Sequence, residues 1–311
     1  MRVVTLAGGT GGAKLAHGLA LVQPPGDLAV VVNTGDDVER HGLLVMPDHD
    51  ALMYMLAGLF DDERGWGVAG ETWAVFDMLE RYGEESWFRL GDRDMATHIA
   101  RTTRLGAGTP LTEVVLGLQA SFGIATPILP MTDGPVRTQV RTDDGWLDFQ
   151  EYFVHRHQEP EVHEVRFEGD LTPTPRVCDA LDAAEVIVIG PSNPIVSIGP
   201  ILAGPIAARI AARTPEVPVI AVSPIVGGRA LKGPADRMLV SLGHEASARG
   251  VATLYRGLAT GFVLDTVDAS MAADIGALGM ATHVTDTVMG DHDGRARLAR
   301  SVLDFASTLR G

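Results

Sequence analysis

The chain has 311 residues, enough for one large domain or two small ones and for a core that needs no disulfide or metal staple. With 25 Lys and Arg against 40 Asp and Glu, the net charge is −15. That balance argues against nonspecific nucleic-acid or anionic-membrane binding, yet leaves room for a nucleotide in a local cradle. A single cysteine, Cys178, excludes an intramolecular disulfide and a cysteine-built zinc site.

In chain order, the first apolar run, Arg2 to Ala7, reads as a buried strand. It is too short for a signal peptide or a membrane span, and no later run approaches the ~20 apolar residues a span needs. A soluble, cytoplasmic protein is expected. Thr10 to Leu21 follows with Leu15 and Leu19 on one helical face, then Leu28 to Val32 as a second strand. From about 50 to 120 the pattern turns helical: Ala51 to Leu59, Thr72 to Tyr82, Met95 to Leu105 and Leu111 to Ser121. Residues 137–142 and 146–154 alternate as antiparallel strands around Asp143-Asp144-Gly145, a good hairpin turn. Val186 to Ile189 and Val217 to Val222 are further apolar strands, with a helical stretch from Pro200 to Arg213 between them. Strands alternating with helices predict an α/β fold, a Rossmann-like three-layer sandwich with a mostly parallel sheet covered on both faces. The expected organisation is one domain over 1–311. Within it, residues 51–122 form a mainly helical cap subdomain and 136–168 a small antiparallel β region.

Several segments carry chemistry. Gly8-Gly9-Thr10-Gly11-Gly12-Ala13-Lys14 follows a strand and opens a helix. Glycines let the backbone approach a phosphate, the helix start offers free N–H groups, and Lys14 adds a point charge. The segment is neither a Walker loop nor a clean dinucleotide fingerprint, because Lys14 stands where the third glycine belongs. After the second strand comes Asn33-Thr34-Gly35-Asp36-Asp37, and eleven residues on Asp48-His49-Asp50. Strand carboxyl ends line the ligand crevice of an open α/β sheet. Asp36, Asp37, Asp48 and Asp50 are therefore candidate ligands for Mg²⁺, which takes carboxylates together with substrate phosphates and water. Asp48 could instead cap a helix. As loop acids they are expected to be exposed, so that alanine at Asp36 or Asp50 would lower turnover without unfolding the chain.

Two later loops, Gly190-Pro191-Ser192-Asn193-Pro194 with Ser197, and Ser223 to Gly228 with Lys232, form an expected nucleotide rim. Within Asp92-Arg93-Asp94 to Thr102, a helix would place Asp94 beside His98 and Thr97 beside Arg101. Trp66, Trp73 and Trp87 lie nearby and could stack on a flat ring or pack a core. His155 and His157 share a face if their segment is a strand, with no clear third metal ligand. Cys178 reads as helix packing.

Together these motifs resemble the CofD family, the 2-phospho-L-lactate transferases of deazaflavin coenzyme F-420 biosynthesis. The resemblance runs nearly end to end. It takes in Gly-Gly-Thr-Gly-Gly-Ala-Lys, Val-Val-Asn-Thr-Gly-Asp-Asp, Leu-Gly-Asp-Arg-Asp-x-Ala-Thr-His, Phe-Gln-Glu-Tyr-Phe, Gly-Pro-Ser-Asn-Pro and Ser-Pro-Ile-x-Gly-Gly, and ends with Thr285-Asp286-Thr287-Val288-Met289. One departure is Ala51, where the family usually has threonine. The resemblance implies a Mg²⁺-dependent transfer of a phospho-acid, 2-phospholactate or phosphoenolpyruvate, from a guanosine diphosphate ester to the ribityl hydroxyl of the deazaflavin FO. GMP leaves and a phosphodiester forms. By position it implies catalytic roles for Asp50, Asp36 and Lys14, and donor binding by Gly8, Gly9, Thr10, Gly11, Gly12, Lys14, Ser192, Asn193, Ser197, Ser223 and Gly227. It implies FO binding by Asn33, Asp50, Thr72, Trp87, Asp92, Arg93 and His98. A homodimer is also implied. A related branch binds nucleotide sugars and would make the chain a regulatory UDP-sugar-binding protein. The Asn33 to Asp37 loop sides with the transferases.

Overall fold

A computed structural model describes residues 1–214 and 216–310; Pro215 and Gly311 lie outside it. Strand β1 (Val3–Ala7) is buried along its whole length and runs into helix α1 (Gly9–Val22), with no side-chain cap at Gly8. Strand β2 (Leu28–Val32) follows, then a short hairpin of β3 (Val38–Arg40) and β4 (Leu43–Val45). Helix α2 (Pro47–Leu56) starts on a proline at its first position, where the missing N–H costs nothing. Its early start corrects the expected onset at Ala51 and puts Asp48 and Asp50 in the first helical turn rather than on a loop.

Helices α3 (Ala74–Arg81), α4 (Asp92–Gly106) and α5 (Leu111–Ser121) come next, then β5 (Ile128–Pro130). Strands β6 (Val136–Thr142), β7 (Gly145–Asp148) and β8 (Glu164–Gly169) pair antiparallel in the order β7-β6-β8. The strand expected to run from Trp146 to Val154 breaks after Asp148, and Glu151–His155 forms a π-helical turn. His155 and His157 therefore do not share a strand face. His157 has a positive φ of 51°, and His155 stacks on Trp87 at 4.9 Å.

The second half adds α6 (Pro175–Ala183), β9 (Val186–Ile189), α7 (Gly199–Leu202), α8 (Pro205–Arg213) and β10 (Val219–Val222). A two-residue ribbon of β11 (Ile225–Val226) and β12 (Arg229–Ala230) leads to α9 (Ala235–Ser241) and α10 (Ala248–Leu254). The chain closes with β13 (Gly261–Asp265), α11 (Ala272–Gly276), β14 (Ala281–Thr285) and α12 (His292–Thr308).

Among the described residues the main sheet has seven strands, all parallel, in the order β14-β13-β10-β9-β1-β2-β5. Alternate residues of each strand serve opposite faces. Val4, Leu6, Ile187, Ile189, Val219 and Phe262 meet Val177, Leu181, Ile206, Ile210 and Val251 of α6, α8 and α10. Val3, Val186, Val188, Ile220 and Val263 meet Leu15 and Leu19 of α1 and Leu298 and Val302 of α12. Toward β2 and β5, Val30, Val32 and Ile128 carry α2 and α5 through Leu52, Tyr54, Val114 and Leu118. The sheet is thus covered on both faces, as its fully apolar strands require. No described helix is long and apolar enough to cross a membrane.

The chain builds outward from β1 to β2 and β5 on one side, then returns to place β9, β10, β13 and β14 on the other. The strand order therefore reverses between β1 and β9. In open α/β sheets the crevice at that reversal, beyond the strand carboxyl ends, is where ligands bind.

Candidate active site

A cleft of about 920 Å³ opens at this reversal. Its floor is the turn from β1 into α1. The backbone there lies so close to the loop after β9 that a Cβ on Gly11 would stand 2.2 Å from the Pro191 carbonyl oxygen, and one on Gly12 2.3 Å from Ser192 Oγ. Gly9 adopts a left-handed φ of 60°, which glycine tolerates and other residues rarely do. The Gly8 amide donates to Ser192 Oγ (3.2 Å) and the Gly9 amide to Asp48 Oδ1 (2.7 Å). The amides of Thr10 and Gly11 fall in the first turn, where a helix has no internal acceptors to offer. Lys14 lines the cleft just beyond.

Asp48 is a joint between the two halves of the site. Its second oxygen accepts from Asn33 Nδ2 (3.0 Å), and Asn33 Oδ1 accepts from the Gly35 amide (2.8 Å). The predicted acids Asp36, Asp37, Asp48 and Asp50 are all buried, the most open only 8% exposed. The expectation that they are exposed loop acids is therefore corrected: alanine at these positions would empty polar space in the interior. Burial pushes the Asp36 and Asp37 carboxyls well up. The nearby Asp48 charge adds to this at Asp36, whereas Arg101 works against it at Asp37. Asp36 Oδ1 and Asp37 Oδ1 find no hydrogen-bond partner.

Asp50 has the opposite environment. Burial alone would raise its carboxyl, but Arg101, His49 and His98 outweigh that and hold it far below the ordinary carboxylate range. Arg101 Nη2 donates to Asp50 Oδ1, and Arg101 Nη1 also reaches the Leu44 carbonyl (3.1 Å). His98 lies between two acids, 3.6 Å from Asp50 and 3.2 Å from Asp94. The pairing of Asp94 with His98 follows from their i, i+4 spacing in α4. Tyr54 donates its hydroxyl to Asp94 (2.7 Å). Ligand atoms of Asp50, Asp94 and His98 all lie within 4.8 Å of one another. This trio shares only Asp50 with the acid group expected from the sequence.

Of the predicted residues, Gly8, Gly9, Thr10, Gly11, Lys14, Asp36, Asp48, Asp50, Trp87, His98, Ser192, Asn193, Ser197 and Ser223 line the cleft. Asn33, Asp37, Gly12, Gly227, Thr72, Asp92 and Arg93 do not. Asn33 sits beneath the floor, fully buried. Asp92 instead accepts from Thr72 Oγ1 (2.5 Å) and from the Ala74 and Val75 amides, closing the first turn of α3. Arg93 donates to the Ala69 carbonyl (3.2 Å). Gly227 donates its amide to Asp268 (3.0 Å). Ser223 Oγ bonds within its own turn, to Ile225.

The cleft also has aromatic walls, of which Trp66 and Trp87 were ring-stacking candidates in the sequence. Tyr54, Trp66, Phe88, Arg89, Phe149 and Phe153 line it together with Trp87. Phe149 and Phe153 stack at 5.5 Å with their planes 20° apart. The π-helical turn makes this possible, since in a strand two residues four apart would stand about 13 Å from each other. Trp87 is itself held between Arg40, 4.0 Å above its ring, and the stacked His155.

The 2-phospho-L-lactate transferase CofD family model matches residues 3–293. The chain belongs to the CofD family. It is 43% identical over 318 residues to a Streptomyces griseus protein named phosphoenolpyruvate transferase, with 100% of both chains covered. It is 36% identical over 303 residues to a Methanosarcina mazei 2-phospho-L-lactate transferase, covering 97% of this chain and 99% of that one. A solved Bacillus halodurans structure superposes with a TM-score of 0.63 at 15% identity, over 97% of this chain and 99% of that one, and so shares the fold. This CofD chain is accordingly an enzyme, a phospho-transferase of F-420 biosynthesis that forms a phosphodiester.

Proposed function

We propose that the chain moves a phospho-acid from a guanosine diphosphate ester onto the terminal ribityl hydroxyl of FO, releasing GMP. The observation that supports this best is the joining of two unlike surfaces in one cleft. A glycine-built anion cradle at the sheet reversal and a set of aromatic side chains line the same cleft, together with Asp36, Asp48 and Asp50. The higher identity to the protein named for phosphoenolpyruvate, 43% against 36%, supports enolpyruvate as the transferred acid over lactate.

Mg²⁺ fits the acids present. Asp36 and Asp37 each keep a buried oxygen without a partner, and hard cations take such carboxylates. Asp36 and Asp48, which line the cleft, would hold it, with donor phosphate oxygens and water as its other ligands. When bound, the ion supplies neutralisation of the diphosphate charge. The amides of Thr10 and Gly11 hold the donor phosphates, Lys14 adds a cation, and Ser192, Asn193 and Ser197 grip the nucleotide side. Phe149 and Phe153 pack against the deazaflavin ring, with Trp87, whose faces are covered by Arg40 and His155, meeting it by its edge. Asp50, kept anionic by Arg101, accepts a hydrogen bond from the ribityl hydroxyl and aims it at the phosphorus, so its role is orientation more than proton removal. His98 and Asp94 fix Asp50 from behind. Asp92, Thr72, Arg93 and Asn33 act one layer further out, holding the walls. We further propose a homodimer working in the cytoplasm. Val75 and Met78 of α3 and Tyr82 just beyond it are exposed, apolar surface of a kind that a second copy covers.

The test is a mass-resolved assay with FO, Mg²⁺ and the guanosine diphosphate esters of phosphoenolpyruvate and lactate in parallel. A phosphodiester of FO with GMP released, lost in EDTA, is expected, faster with the enolpyruvyl donor. No product from either, with saturable binding of a uridine diphosphate sugar, would move the chain to the nucleotide-sugar-binding reading.

A further inference from the structure

The 25 basic residues include only two lysines, Lys14 and Lys232. Both line the same cleft. Lys14 projects from α1 beyond the glycine cradle. Lys232 comes from a distant part of the chain, the loop between β12 and α9. Among the described residues neither ammonium has a carboxylate within ion-pair distance, although the neighbouring arginines do: Arg64 pairs with Asp61 (2.8 Å) and Arg295 with Asp62 (2.5 Å). Each lysine instead rests one N–H on a backbone carbonyl, Lys14 on Met289 (3.3 Å) and Lys232 on Gly65 (3.4 Å). An ammonium has three donors, so two on each side remain for a ligand.

The two charges also oppose each other. The Lys14 ammonium is disfavoured by burial first, then by Arg295, with Lys232 adding to the repulsion and Asp62 relieving part of it. Mutually repelling cations without acids of their own, in a chain of net charge −15, make a local seat for an anion. The approach of Lys232 is built into the facing loop. Gly65 has a φ of 77°, which favours glycine, and it has no side chain to displace the Lys232 ammonium, which lies 1.8 Å from where a Cβ would stand.

We propose that Lys14 and Lys232 are the two jaws of a diphosphate clamp, and that Lys232 leaves the Gly65 carbonyl for the anion when the ligand binds. The clamp deepens the donor assignment above and rests on it for the identity of the nucleoside. One phosphate sits on the cradle amides beside Lys14, and the second spans to Lys232 under the 61–67 loop. A nucleoside monophosphate would use one jaw, a diphosphate both. Lysine suits this task because a flexible point charge can follow phosphate oxygens, whereas the planar fork of arginine demands a fixed approach.

The experiment is calorimetric titration of inorganic pyrophosphate, GDP and GMP into the wild-type chain and into Lys14→Met, Lys232→Met and Lys232→Arg. Lys232 is exposed, so the Lys232 variants should melt with the wild type, which thermal unfolding checks. We expect each methionine variant to bind pyrophosphate and GDP at least about ten-fold more weakly. We expect GMP to change by less than about three-fold in Lys232→Met, with partial recovery for diphosphates in Lys232→Arg. Trp66 emission should shift on pyrophosphate addition in the wild type and not in Lys232→Met. Unchanged pyrophosphate affinity in Lys232→Met, equal weakening of GDP and GMP, or no binding of either diphosphate to the wild type would overturn the clamp. If the transferase assay fails while pyrophosphate affinity still depends on both lysines, the clamp stands and the donor assignment falls. If product forms with an unchanged donor KM in Lys232→Met, the reverse holds.

Discussion

The two halves of the cleft are made of different materials. The cradle half is backbone: Gly8 to Gly12 folded against Pro191 and Ser192, with little room for a Cβ at Gly8, Gly11 or Gly12. The other half is side chains: a buried chain of charges through Asp50, Arg101, His98 and Asp94, walled by aromatic rings. A backbone site tolerates no added atoms. A buried charge network tolerates no missing ones, because removing one partner leaves the other ionised in the interior. The same contrast separates the acids. Asp50 is ionised and paired, whereas Asp36 and Asp37 are crowded, partnerless at one oxygen and pushed toward neutrality.

The largest effect expected on stability is at Arg101. Arg101→Met should cost about 3–5 kcal/mol, read by chemical denaturation. Adding Asp50→Asn to that variant should restore much of the loss, and a double variant no better than the single would contradict the buried pair. Next comes His17, on α1 away from both halves. Burial, with Arg295 and His292 nearby, lowers its imidazole to about 4. A folded value below the unfolded 6.5 means stability is full above pH 6.5 and falls as pH drops toward 4. That loss should reach up to about 3 kcal/mol and should shrink in His17→Gln. Gly11→Ala should cost about 2 kcal/mol by forcing its Cβ from the Pro191 carbonyl, and should raise the donor KM while leaving FO affinity alone. The smallest stability effect is at Asp36. Asp36→Asn should melt within about 0.5 kcal/mol of the wild type or slightly higher, since it removes a charge that burial disfavours. Its turnover should nonetheless fall at least about 100-fold if Asp36 is the cation ligand proposed above. Normal turnover in that variant would remove Asp36 from the metal set.

The contrast between the halves also explains what could be read in advance. The cradle was legible because a strand, five residues with four glycines and a helix spell out their own geometry. The parallel sheet was legible from apolar runs such as Leu28 to Val32, whose bounds the structure reproduces. Burial of the acids was hidden, since a loop-like Asp48-His49-Asp50 gives no sign that Pro47 opens the helix under it. The aromatic walls were legible at Trp66 and Trp87 and hidden at Phe149 and Phe153. Trp146 to Val154 alternates as a strand should, and only packing decides that the chain winds into a π-turn after Phe149. Arg101 carried one legible hint, its place one turn after Thr97 in α4, but the partner it meets, Asp50, is 51 residues away.

The division of labour itself is tested most directly by fluorescence titration of FO and calorimetric titration of GDP into the wild type, Phe153→Ala and Gly11→Ala. FO affinity should fall at least about ten-fold in Phe153→Ala with GDP affinity unchanged, and Gly11→Ala should show the reverse. Weakening of GDP by Phe153→Ala, or of FO by Gly11→Ala, would contradict the assignment of the cradle to the donor and the aromatic walls to the acceptor.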